Sequence, residues 1–117
     1  MPKRTPLNEK NRIYICGMIT KLPFQVAKDN FEAVEIYLKD NYAFEIINPM
    51  KLPHHHDKTW ASYMKHCLTA MLDCNMIYIM SNYKLSEGAT IERKVAKALG
   101  FHFIKRNLEL EKTLLPF

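Results

Sequence analysis

The stretch NMIYIMSNYKLSEGATIERKVAKALGFHFIK, residues 75–105, decides the fold. Its opening NMIYIMS is a short apolar run of the kind a sheet buries on both faces. SEGATIERKVAKALG, residues 86–100, then places apolar positions at helical spacing and ends on Gly100, a helix stop signal. FHFIK, residues 101–105, is a second apolar run. Strand, helix and strand in that order predict a right-handed crossover between parallel strands.

The same alternation extends toward the N-terminus. RIYICG (12–17) reads as a buried strand stopped by glycine. In FQVAKDNFEAVEIYLKD (24–40), Val26, Ala27, Phe31, Val34 and Leu38 share one face of an amphipathic helix. YAFEIINP (42–49) reads as a strand ended by Asn48-Pro49, and the polar MKLPHHHDK (50–58) crosses to a helix, WASYMKHCLTAMLDC (60–74), with Thr59 as its N-cap. RNLELEKTLLPF (106–117) is either a short helix or an extended arm. The expected class is α/β: a three-layer sandwich around a short, mostly parallel sheet of four to five strands. The expected division is a basic arm at 1–11, one α/β domain at 12–106 and a tail at 107–117.

Composition narrows the partners. The chain has 117 residues, 48% hydrophobic and 25% charged, enough for one core. No apolar run nears the roughly 20 residues that cross a bilayer, and no signal-peptide core follows the basic start, so a cytoplasmic, membrane-free protein is expected. Cys16, Cys67 and Cys74 form no CxxC pair and read as reduced thiols. The net charge of +5 suits an anionic ligand. Lys65, Arg93, Lys94, Lys97, Lys105 and Arg106 come from separate elements, so no nucleic-acid polymer is expected.

In parallel sheets ligands sit beyond the carboxyl ends of strands, near the switch point in strand order. The turns CGMITKLP and SNYKLSEGAT are therefore the places to search. In the second, Ser86, Gly88 and the amides of Ala89 and Thr90 would stand at a helix N-terminus, which favours an anion. Ordinary helix capping by Ser86 explains the same residues. Glu92, a turn further on, can point back toward the crevice or pair with a lysine such as Lys65, Lys94 or Lys97. A carboxylate near a phosphate cradle suits attack on an anomeric carbon.

Together RIYICGMIT, AFEIINP, TWASYMKHCL, LDCNMIYIM and SEGATIERKVAKALGFHFI resemble the nucleoside 2-deoxyribosyltransferase-like superfamily over residues 12–104, closest to a branch of short domains of unassigned activity. The resemblance implies a flavodoxin-like fold, a nucleoside or nucleotide ligand, N-glycosidic cleavage or base exchange, no cofactor, and a homo-oligomer. It makes Glu92 the nucleophile, Ser86 the 5′-phosphate ligand, and Tyr14 and Gly17 part of the sugar pocket. It also implies a role for the helix dipole in keeping Glu92 ionised. Two positions depart from the pattern. Cys67 stands where relatives carry an aspartate that holds or protonates the base, and an ordinary thiol is neutral at pH 7. Met18 stands where a phosphate-binding serine often sits, with Thr20 near enough in the chain to substitute. These departures keep open a weakened sensor module that binds nucleotides without turnover, while the basic N-terminal arm and the LLPF terminus (114–117) keep open a flavodoxin-like interaction domain that docks a partner chain. The run His54-His55-His56 with Asp57 lacks a second ligand cluster, so no metal is expected. Trp60 can stack on a base or simply pack, while Asp73 and Asn75, at the opposite end of their strand, read as structural.

Overall fold

The computed structural model describes residues 11–52 and 59–114. The basic arm before Asn11, the His54–His56 run with Asp57, and the last three residues lie outside the described residues. Among the described residues, four strands, β1 (Arg12–Cys16), β2 (Glu45–Ile47), β3 (Met76–Ile79) and β4 (His102–Phe103), alternate with helices α1 (Phe24–Asn41), α2 (Trp60–Leu72), α3 (Glu87–Ala98) and a short α4 (Leu108–Glu111). Two 3-10 turns, Pro49–Lys51 and Ser81–Leu85, follow β2 and β3.

The sheet order is β2-β1-β3-β4, and every pairing is parallel. This is the three-layer α/β sandwich expected from the alternation. Because β1 leads outward to β2 and the chain then returns past it to β3, the switch point falls between β1 and β3. Both of those strands are buried on both faces, as central parallel strands require. Successive side chains alternate between layers. Ile13, Ile15, Met76, Tyr78 and Met80 pack with Phe31, Val34 and Leu38 of α1 and with Leu114. Tyr14, Cys16, Ile77 and Ile79 pack on the other side with Met71 of α2 and with Ala89 and Ala96 of α3. Each fully buried isoleucine contributes about 2 kcal/mol.

Caps fix the helix ends near the expected positions. Thr59 Oγ1 accepts the Ser62 amide at 3.1 Å. Gly100 takes φ 76°, its amide bonds the Lys97 carbonyl at 3.2 Å, and the Phe101 amide bonds the Ala96 carbonyl at 3.0 Å. That pair is a Schellman closure, which needs the left-handed residue glycine supplies. Asn75 is structural as expected: its Oδ1 accepts the Arg12 amide at 3.0 Å and its Nδ2 donates to Asn11 at 2.7 Å. Residues 107–114 include α4 and pack on the α1 layer, where Glu111 and Leu114 are buried. No described helix is long and apolar enough to cross a membrane.

Candidate active site at the strand switch point

Strand alternation sends Tyr14 of β1 into the layer of α2 and α3, where its hydroxyl donates to Glu92 Oε2 at 2.8 Å. Glu92 lies on the buried stripe of α3, with Gly88, Ala89 and Ala96, and is only 6% exposed. No ion pair to Glu92 exists among the described residues, which removes the surface-lysine reading. Burial pushes the Glu92 carboxyl up to about 7, against the opposing hydrogen bonds of Tyr14 and Cys16. This corrects the expectation of a dipole-stabilised carboxylate. Position 92 lies beyond the first helical turn, where the macrodipole fades, and desolvation outweighs it.

Glu92 opens into a hollow lined also by Gly17, Thr20, Cys67, Ser86, Gly88 and Ala89, with Ile19, Trp60, Tyr63 and Met64 completing it. Its cavity volume is about 20 Å3, within about 310 Å3 of empty space that is partly open solvent. That is room for about one water, so the cleft is narrow. A second, apolar hollow of about 400 Å3, open solvent included, shares Ile19, Thr20 and Tyr63 with it and adds Phe24 and Met50.

The phosphate-cradle expectation changes in detail. Helix α3 begins one residue after Ser86, so Ser86 Oγ caps the Ala89 amide at 3.1 Å and the Ser86 carbonyl accepts the Thr90 amide at 3.0 Å. The two amides singled out from sequence are thus occupied. Those of Glu87 and Gly88 have no intrahelical acceptor, and the Ser86 hydroxyl retains its hydrogen for donation. Gly88 permits close packing: a Cβ there would lie 2.8 Å from Met64 Sδ.

Cys67 shares the layer with Tyr14 and Tyr63. Burial and the Glu92 charge push its thiol up to about 12, while contacts with the Tyr14 and Tyr63 hydroxyls oppose them. The thiol stays protonated at neutral pH. Cys16 donates to the Ala89 carbonyl at 3.4 Å, and burial raises its thiol as well.

Met18 is buried, but it is not one of the residues lining the hollow; its amide is held by Asn82 Oδ1 at 3.1 Å. Thr20 does line it. Gly17 fits because a Cβ would meet Met80 Cε at 2.4 Å and Asn82 Oδ1 at 3.3 Å. The linear reading missed Asn82, Tyr63 and Met64. For the last two a signal existed, since Trp60, Tyr63, Met64 and Cys67 share one helical face. Trp60 borders the hollow and is 42% exposed. Among the described residues no group of three His, Cys, Asp or Glu could hold a metal ion.

The molecule is thus a parallel α/β domain with a buried carboxyl at its strand switch point. It belongs to the family described as Domain of unknown function (DUF4406), whose model matches residues 11–105. Neither a curated protein nor a solved structure matches the chain.

Proposed function

We propose that this domain acts on a nucleoside or nucleoside 5′-monophosphate, cleaving the N-glycosidic bond or exchanging the base. One observation carries the reading: a buried Glu92, hydrogen-bonded by Tyr14 at 2.8 Å, borders the same hollow as Ser86, Gly88 and Ala89. A phosphate held by the Ser86 hydroxyl and the first-turn amides would set the sugar toward the carboxyl. A Glu92 oxygen then bonds C1′ as the C1′–N bond breaks, the electron pair leaves with the base, and solvent supplies the proton. Water, or a second base, releases the sugar from the resulting ester. Tyr14 positions the carboxyl and steadies its charge. The neighbouring apolar hollow, which shares Ile19, Thr20 and Tyr63 with the first, suits a base. Self-association of the chain belongs to the same reading, and solution mass measurement tests it.

Incubation with a panel of nucleosides and 5′-monophosphates, followed by chromatography of the free base, tests the proposal. Release by wild type that is lost in Glu92→Ala is expected; no release, or equal release by both, overturns it. A second reading is favoured by the Cys67 thiol, which at about 12 is too weak an acid to assist the departing base and leaves that proton to solvent. It is a nucleotide-binding module without turnover, and ligand-induced thermal stabilisation with no free base is its signature.

A further inference from the structure

Apart from the Glu92 hollow, a broad groove crosses the carboxyl ends of β3 and β4. It is lined by Lys84, Arg93, Lys105 and Arg106 together with Tyr83 and Phe103, among others. It shares no lining residue with the Glu92 hollow, although both border the segment 83–86. No carboxylate lines it, and none of its four cations is ion-paired among the described residues. Linear spacing hid this gathering, because the cations come from the turn after β3, from α3 and from the segment after β4.

The two arginines are placed, not merely scattered. Arg106 Nε donates to the Ile79 carbonyl at 2.6 Å, which anchors its guanidinium at the end of β3. The guanidiniums of Arg93 and Arg106 both lie 5.5 Å from the centre of the Tyr83 ring. Two like charges drawn to one ring raise the local positive potential, which an anion bound beside them offsets. The groove is wide, with about 1060 Å3 of empty space including open solvent, whereas small-molecule sites are enclosed. Phe103 on the edge strand and Leu108 beyond it are exposed along it. An open cationic track bordered by an exposed aromatic fits an extended phosphate backbone whose bases stack on the protein.

The geometry points to a single-stranded nucleic acid as the occupant of this groove, bound through its phosphates without sequence preference. This inference does not rest on the glycosidic reading, since Glu92 takes no part in it.

Fluorescence anisotropy of a labelled oligothymidylate of about 12 nucleotides, within the roughly 4–16 that such surfaces cover, is the test. Wild type should bind it, with log affinity falling against log salt at a slope of about −3 for four neutralised phosphates. Lys84→Glu with Lys105→Glu, both exposed positions, should weaken binding by at least about tenfold. The pair Lys28→Glu with Lys65→Glu, equal in charge change but on α1 and α2, should leave most of it, and Glu92→Gln should leave all of it. Absence of binding at low salt overturns the inference. Equal loss in the two charge-reversal pairs does so too, since attraction would then follow net charge alone. So does displacement of the oligonucleotide by inorganic tripolyphosphate at matched phosphate concentration, which marks a small-anion site.

Discussion

Tyr14 and Glu92, 78 residues apart in the chain, meet through a buried hydrogen bond of 2.8 Å that joins β1 to α3 across the switch point. The phenol favours the charged carboxylate while burial disfavours it, and burial prevails. Tyr14→Phe keeps the ring in the core and removes only the favourable part. The Glu92 midpoint should then move above its present value of about 7, and stability at pH 8 should fall by about 1–3 kcal/mol. NMR titration of the glutamate carboxyl and urea unfolding read the two effects. An unmoved midpoint would show that the phenol contributes nothing to the charge state.

The raised carboxyl also sets a pH dependence of stability. With a folded value of about 7 against an ordinary 4.5, the native state binds more protons than the unfolded chain between those limits. The group's contribution is fully present below pH 4.5 and is lost as pH rises through about 7. The loss is on the order of 3 kcal/mol, as a ceiling. Glu92→Gln carries no such titration. The difference in unfolding free energy between wild type and Glu92→Gln should therefore turn against wild type across that window and level off above it. Parallel curves would mean that the carboxyl is well hydrated.

If base release occurs, its pH profile should report the same group. A nucleophilic carboxylate must be deprotonated, so kcat/KM should rise with pH to a plateau, with an apparent midpoint near 7. A midpoint near the ordinary 4.5 would place the reacting group elsewhere.

Much of the fold is legible in the chain because each signal is local. Thr59, Ser86 and Gly100 act as caps through their own side chains or backbone freedom, and the apolar periodicity of α1 needs no partner to be read. The site is legible in part. Gly88, Glu92 and Ala96 recur every fourth residue, which already puts the acid on the stripe of small buried residues. Its charge state was not legible, since that depends on how dry the neighbouring layer is. In β1, Ile13, Tyr14, Ile15 and Cys16 are all buried, so the run itself does not tell which layer receives Tyr14. Strand order decides that, and strand order is a long-range property. Asn82 escaped notice for the same reason, because its acceptor role depends on β1 lying next to β3.

Gly88 separates packing from ligand access. Alanine gains about 1 kcal/mol of helix propensity over glycine, yet its Cβ would lie 2.8 Å from Met64 Sδ. The thioether is flexible and can yield, so Gly88→Ala should leave stability within about 1 kcal/mol of wild type. Met64 lines the hollow, and its displacement should narrow a cleft that has room for about one water. A nucleotide that stabilises wild type in thermal unfolding should stabilise Gly88→Ala markedly less. Equal stabilisation would separate the ligand site from this hollow.

The C-terminal segment is tied to the site by Glu111, a buried acid on α4. Its Oε2 accepts the Tyr78 hydroxyl at 2.7 Å, and its Oε1 accepts the Ser81 amide at 2.7 Å, at the start of the turn that leads to Ser86. Tyr78 in turn accepts the Asn107 amide at 3.1 Å. Removing the carboxylate leaves a buried hydroxyl and an amide without their acceptor, and each such group costs about 1–3 kcal/mol. Glu111→Ala should therefore lower the unfolding free energy by about 2–4 kcal/mol in urea. Glu111→Gln keeps one carbonyl acceptor, but its amide faces a second donor, so it should fall between alanine and wild type. Because Ser81 opens the segment that positions Ser86, hydrogen exchange should rise in residues 81–86 of the alanine variant before it rises in β1. Uniform exchange across both would make the acid a general stabiliser with no specific hold on that turn.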